Sequence, residues 1–394
     1  MEPPTLDVDP YDAALLAAPA DYHRALRELA PVVAIPRYGV VAVGRISAVE
    51  RIFRDWRTFT SARGVGLADF AREPPWRPPS IVLEVDPPDH DRTRQVLARA
   101  LSPQAVQQWR PRMLASAERL VDAALACGTI DGARDLAQAY PLTAFGDAVG
   151  LRATDRAELL RYGAMVFNAL GPDNEQRRDA LAAAADVVPW ITAQCARAKL
   201  ADDGFGAAVY AAADRGEITD DEASLLVRSL LSAGIDTTVA TLGFMLDCLA
   251  RHPAAWAALR ADPALIPAAI DETLRYASPV HTFCRTSTVA IDIDGIAVPA
   301  ATKILCVMAA ANRDPARWER PDEFAIERPR LPHVAFGSGI HVCVGQHVAR
   351  QEISILFEVL LARVRSLEPG GQPVIAHGNA VNTLVSLPLV LKAA

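Results

Sequence analysis

Phe336-Gly337-Ser338-Gly339-Ile340-His341-Val342-Cys343-Val344-Gly345 brackets one cysteine with glycines, just ahead of a long amphipathic segment. Gly337, Gly339 and Gly345 permit turns and close approaches that a side chain blocks. A thiolate at Cys343 stands near the start of the helix expected over 345–366, where amide dipoles favour negative charge. Such a thiolate is a good soft ligand for iron. A single cysteine is more often a buried structural residue. The joint spacing of Phe336, Gly339, Cys343 and Gly345 favours a ligand, because four constrained positions rarely coincide.

The 394 residues suffice for a large core. The Pro-rich stretches, such as Pro74 to Pro79, are short and sit among apolar residues, so no linker divides the chain. One domain over residues 1–394 is expected. The composition is 51% hydrophobic and 22% charged, rich in alanine, with apolar residues at helical spacing. That pattern predicts a mainly α fold. A net charge of −7 argues against a protein built to coat nucleic acid.

Cys127, Cys195, Cys248, Cys284, Cys306 and Cys343 form no CxxC pair, and a reducing cytoplasm fits them best. The opening MEPPTLDVDPYD reads as neither signal peptide nor anchor, and no uninterrupted apolar run reaches a membrane span.

Along the chain, 21–30 reads as a short helix, 31–44 as a β-hairpin and 45–57 as a helix. Residues 60–85 are irregular, and 89–198 is a succession of helices. Thr219-Asp220-Asp221-Glu222 is a capping-box pattern opening a helix of over 30 residues, to about 251. Residues 264–277 are helical, 284–305 alternate as short strands around Asp294-Gly295, and 383–391 is a closing strand. The sheets are small and peripheral.

Three further patterns carry chemistry. Glu272 and Arg275 share a helix face at i and i+3, and their apolar neighbours suggest a buried pair. Ala233-Gly234-Ile235-Asp236-Thr237-Thr238 puts a glycine and two threonines inside the long helix. This is either a packing glycine with exposed threonines, or a kink opened by hydroxyls that bond back one turn. His90 and Arg94 lie four apart on one helix face, Arg285 follows the Pro279 loop, and His341 lies two residues before Cys343.

These motifs, in this order, resemble the cytochrome P450 family over nearly the full chain. The resemblance implies a mainly α fold with small peripheral β-sheets, with haem b held between the long central helix and the Cys343 loop and final helix. Cys343 is then the axial iron ligand, pushing electron density toward O–O cleavage, with Phe336 and Gly345 beside it. His90, Arg94, Arg285 and His341 hold the haem propionates. The Glu272–Arg275 pair locks to a third residue, for which Arg317 or Arg320 is expected. Asp236 and Thr237 form the acid–alcohol pair that supplies protons during O2 activation.

Substrate is read from the loop Trp76-Arg77-Pro78-Pro79-Ser80-Ile81 and from Arg228, Ser229 and Ser232 of the long helix. At about 100° per residue, Ser229, Ser232, Ala233 and Asp236 project within one face. The combination resembles bacterial cytochromes P450 that O-demethylate 4-methoxybenzoate. It implies that Arg77, Ser80, Arg228, Ser229 and Ser232 bind a small aromatic carboxylate. Leu83, Phe167, Leu170, Ala233, Val280 and Phe283 clamp the ring. Leu170 replaces an aromatic residue expected in close relatives.

Implied partners are O2 and an iron–sulfur ferredoxin fed by an NADH-dependent reductase, docking on a basic face of Arg92, Arg94, Arg99 and Arg110. The protein is expected to be a cytoplasmic monomer without membrane or nucleic-acid partners. Rival readings are another apolar substrate, such as a terpene or biosynthetic scaffold, and a non-enzymatic haem-thiolate sensor. The Asp236-Thr237 pair argues against a peroxide-driven enzyme.

Overall fold

A computed structural model describes residues 1–394. Its longest helical feature is organised by its cap. Thr219 Oγ1 accepts from Glu222 N at 3.1 Å, and the Glu222 carboxylate accepts from Thr219 N at 2.8 Å. This satisfies two N–H groups that the first turn leaves free. The helix runs Asp220–Gly234 and resumes as Asp236–Arg251, with Ile235 at φ −95°, ψ −63° between the halves. Leu226, Leu230, Leu242 and Leu246 bury its apolar stripe in the main core. The whole span is long and apolar enough to cross a bilayer, yet most of its apolar window is buried within the protein.

The final helix, Gln346–Arg363, packs on Pro103–Cys127 and on Ile266–Ala277. It ends earlier than the sequence suggests, because β-branched Val364 begins the strand Val364–Pro369. The expected closing strand is two strands, Asn382–Ser386 and Pro388–Ala393, parted at Leu387 and belonging to different sheets.

One five-stranded sheet orders Val33–Ile35, Val40–Val43, Lys303–Val307, Thr282–Ser287 and Phe59–Thr60. In Thr282–Ser287 the side chains alternate. Cys284 enters an N-terminal cluster with Tyr22 and Leu305, while Phe283 and Arg285 share the opposite face, toward the cavity described below. Asp294 and Gly295, at φ 50° and 89°, make the tight turn of a small separate hairpin.

Arg275 donates to Glu272 at 2.7 and 2.8 Å, and both are almost fully buried. Its other N–H groups reach the carbonyls of Asn312, Pro321 and Glu323 at 3.2, 2.6 and 3.0 Å. The third member is neither Arg317 nor Arg320. Arg317 pairs with Glu50 and Arg320 with Glu323. Arg328 takes the place instead, with Nε 3.4 Å from Glu272 Oε1. The chain turns back beyond Pro321, so the later arginine is the one that reaches the pair.

Candidate active site

A cavity of about 290 Å³ lies between the long helix, the Cys343 loop and the strand Thr282–Ser287. Cys343, Phe336, Gly345, Arg94, Arg285 and His341 line it, as do Ser229, Ser232, Ala233 and Thr237 of the long helix. Arg77, Ser80, Leu83, Phe167, Leu170, Arg228, Val280 and Phe283 also border it. Two residues singled out from the sequence, Asp236 and His90, are not in its wall.

Within the loop, Gly337 and Gly339 adopt φ +71° and +74°, which favours glycine. Gly339 also lies against backbone: a β-carbon there would stand 2.3 Å from the Phe53 carbonyl oxygen. Cys343 N donates to Phe336 O at 2.9 Å, closing the loop beneath the cavity. Burial pushes the Cys343 thiol up, while the N–H groups of Gly345 and Gln346 and the charges of Arg94 and Arg350 pull it down. Burial prevails. A thiolate at Cys343 would accompany metal binding, since a ligating thiol is deprotonated.

Beside the loop is a group of buried donors. Arg94 donates to Val342 O, tying its helix to the loop. His341 Nε2 lies 2.9 Å from Ser61 Oγ, and its Nδ1 is buried without a partner. His90 packs edge-on against His341 at 4.5 Å between centroids, and its Nε2 is likewise unpartnered. Arg285 is 5% exposed, donates to Cys284 O at 2.8 Å and lies over the Phe53 ring. Buried donors of this kind call for acceptors.

In the long helix Gly234 is both a packing residue and the site of a break, while the threonines are not exposed: Thr238 is buried and Thr237 half-buried. The glycine is a packing residue, since a β-carbon would fall 2.4 Å from the Phe145 ring. The helix is also interrupted there. Thr237, Thr238 and Thr241 bond back to the carbonyls of Ala233, Gly234 and Thr237 at 2.8, 3.0 and 2.7 Å. The interruption rotates Asp236 off the face shared by Ser229, Ser232 and Ala233. Asp236 turns instead to Gly163 of the helix Glu158–Asn168, with Oδ1 buried and unbonded. Burial holds its carboxyl well above the usual carboxylate range.

The polar lining contains two arginines. Arg77 donates to Pro78 O at 2.8 Å, and Arg228 approaches the same carbonyl at 3.4 Å. Ser80 Oγ accepts from Leu83 N at 3.2 Å. Ser229 and Ser232 donate to the carbonyls of Leu225 and Ser229, at 2.9 and 3.3 Å. Phe167 and Leu170 pack with Val65, Leu83, Val280 and Phe283 in one apolar cluster. The Leu170 carbonyl accepts from Leu67 N at 2.8 Å, so the loop it sits on closes against the segment before Arg77.

Sequence reasoning missed Glu84, Tyr162, Val65 and Glu352. Glu84 is 3% exposed and meets Arg77 at 3.2 Å; the spacing Ser80-x-x-x-Glu84 after a Pro-rich turn was its available signal. Tyr162 lines the cavity near Arg77 and Arg228. Glu352 lines it from the final helix, fully buried with neither oxygen bonded, and burial favours its protonated form. A glutamate in an apolar helical stripe was the signal for that residue.

The expected basic docking face does not form from the chosen arginines. Arg92, Arg99 and Arg110 pair with Glu222, Glu217 and Glu358, and Arg94 is committed to the loop. Carboxylates distant in sequence neutralise them.

The cytochrome P450 family model matches residues 175–389. The chain is 45% identical to cytochrome P450 CYP199A2 of Rhodopseudomonas palustris over 392 residues, which covers 99% of this chain and 95% of the relative. The chain belongs to the cytochrome P450 family. It is also 30% identical to the beta-dihydromenaquinone-9 omega-hydroxylase of Mycobacterium tuberculosis, over 92% of this chain and 74% of that protein. The solved structure of cytochrome P450 CREJ in complex with (4-ethylphenyl) dihydrogen phosphate superimposes with a TM-score of 0.88 at 26% identity. That match covers 98% of this chain and 99% of the other.

As a cytochrome P450 the protein is a haem b monooxygenase, using O2 and redox partner proteins. The structure fits that cofactor. The cavity sets a soft sulfur ligand, Cys343, beside buried cations and unpartnered imidazole nitrogens. That donor set suits an iron porphyrin with two carboxylates.

Proposed function

We propose that this cytochrome P450 oxidises small aromatic carboxylic acids at the para substituent, by O-demethylation or hydroxylation. One observation carries the reading: Arg77, Arg228, Ser80, Ser229 and Ser232 are gathered in the wall of a largely apolar cavity that also contains Cys343. Ser232 and Thr237 border the cavity from either side of the helix break at Ile235. That arrangement suits an acid group near the serines and a para substituent near Thr237. The structure of a relative holding a para-substituted phenyl phosphate supports an aromatic anion as the ligand class.

Cys343 would hold haem b, with His90, Arg94, Arg285 and His341 available to its carboxylates, and the group when bound would supply the oxidising chemistry with O2 and two electrons. The chain's own residues do the rest. Arg77 and Arg228 orient the acid by charge, and the serine hydroxyls add donors to its oxygens. Leu83, Phe167, Leu170, Ala233, Val280 and Phe283 pack the ring and exclude water. Asp236 holds a proton because of its burial, and Thr237, with Oγ1 bonded to Ala233 O, presents a hydroxyl to the cavity; in this reading Asp236 swings from Gly163 toward the cavity to pass that proton on. The electron donor in this reading is an iron–sulfur ferredoxin fed by an NADH-dependent reductase.

The test is a spectral titration of the haem-loaded protein with 4-methoxybenzoic acid, its methyl ester and unrelated apolar ligands. The acid is expected to give the largest spin-state shift. Arg77→Ala should weaken the acid by about 1.5–3 kcal/mol, the worth of a charged hydrogen bond, and the ester far less. Equal responses to acid and ester would sink the reading.

A further inference from the structure

The proposed acid-binding end already contains an acid. Glu84 Oε2 accepts from Ser80 N at 2.8 Å and stands 3.2 Å from the Arg77 guanidinium, and both side chains are largely out of solvent. Arg77 also lies over the Trp76 ring at 5.1 Å and donates to Pro78 O, the carbonyl that Arg228 approaches. The assembly therefore carries two cations and one anion. Lys303 also feels the charge of Glu84, but its ammonium is spent on the carbonyls of Arg63 and Gly64, each at 2.9 Å. Tyr162 adds a phenol near both arginines.

A buried carboxylate must be paired, and Glu84 takes one arginine as its partner. A guanidinium has five N–H donors in a fixed fork, so Arg77 serves Glu84 and Pro78 and keeps donors for a ligand. One positive charge remains for that ligand to neutralise. We propose that Glu84 sets the acid-binding end to a single net positive charge, so that it takes aromatic monoanions and rejects dianions of the same outline, such as aryl phosphates. This rests on the aromatic-acid reading above. Glu84 touches Arg77 rather than the reacting atoms, so it is a positioning and selectivity residue. A second negative charge on the ligand would meet Glu84 across Arg77 with nothing left to offset it.

The test compares 4-ethylbenzoic acid with 4-ethylphenyl phosphate on the holoenzyme at pH 8, by difference spectra and by calorimetry. The wild-type protein is expected to prefer the carboxylate by about tenfold or more. Glu84→Gln keeps the Ser80 N–H acceptor and should close that gap by about tenfold, chiefly by tightening the phosphate. A preference that is the same in both proteins, or a wild type that prefers the phosphate, overturns the proposal.

A second measurement needs no variant. The second phosphate ionisation lies near pH 6, so lowering the pH from 8 to 5.5 turns the dianion into a monoanion. Wild-type affinity for the phosphate should then rise about tenfold, while that for the benzoate, ionised throughout, stays level. A flat phosphate response overturns the proposal. If the wild type binds uncharged 4-ethyltoluene but neither anion, the aromatic-acid reading fails and takes this one with it. If it binds the benzoate and Glu84→Gln changes nothing, only the role of Glu84 falls.

Discussion

The carboxylate of Asp236 lies against the bare α-carbon of Gly163: a β-carbon built on that glycine would stand 2.0 Å from Oδ2. The two residues come from different helices, and the contact leaves Asp236 pointing away from the cavity that Thr237 lines. Asp236→Asn keeps that outline and removes the acid, leaving Thr237, Cys343 and the arginines and serines of the cavity wall in place. Product per NADH should fall by on the order of tenfold or more, within the range for a lost general acid. Haem content and benzoate binding should be unchanged. Undiminished coupling would mean that Asp236 takes no part in proton supply.

Burial of Asp236 also has a sign in stability. Burial holds its folded-state carboxyl well above the ordinary aspartate value of about 3.8. Between that value and the higher folded one, the folded protein binds more protons than the unfolded chain. Stability thus falls as pH rises from about 3.8 through this window. Asp236→Asn has no such proton. The stability of the wild type relative to the variant should drop as pH climbs from 4 to 8, read by urea midpoints at each pH. A pH-independent difference would place the carboxylate in a solvated setting.

Thr237 lies in the first turn after the break, with its hydroxyl turned back across it to Ala233 O. Thr237→Ala should retain haem and substrate spectra and divert reducing equivalents to peroxide. The ratio of product to NADH is the measurement, and an unaltered ratio counts against the hydroxyl.

Cys343→Ser tests the cysteine as the iron ligand. Serine keeps the loop, because the Phe336 carbonyl accepts from the backbone N–H rather than from the thiol. The reduced carbon monoxide complex should lose its thiolate band while the far-UV spectrum stays the same. Persistence of the band would assign the ligand elsewhere.

The Glu272–Arg275 pair predicts unequal costs. Arg275→Ala strands a buried carboxylate and should cost about 3–5 kcal/mol. Arg328→Ala removes the longer contact to Glu272 and backbone bonds to Glu319, Arg320 and Glu323, for about 1–3 kcal/mol. Denaturant midpoints of the two variants check the order, and a larger loss for Arg328→Ala would reverse it.

Local patterns were legible wherever short-range rules act. The capping box at Thr219, the glycine-bracketed Cys343 loop and the hairpin turn at Asp294-Gly295 all appear in the fold as their spacing predicts. Each depends on residues within a few positions of one another. The same locality explains the error over Asp236, because the 100° rule assumes an unbroken helix and Ile235 breaks it.

Pairings across the chain were not legible. Arg328 rather than Arg317 or Arg320 joins Glu272, and distant glutamates cancel the arginines expected to form a docking face. Glu84 is four residues from Ser80, yet its meaning depends on where Arg228, 144 positions further on, enters the cavity. The residue types and spacings at Cys343 and Thr237 are properties of the chain alone, set by backbone geometry and covalent distance. The net charge that meets a substrate is a sum over side chains brought together by packing, and only the tertiary structure decides it.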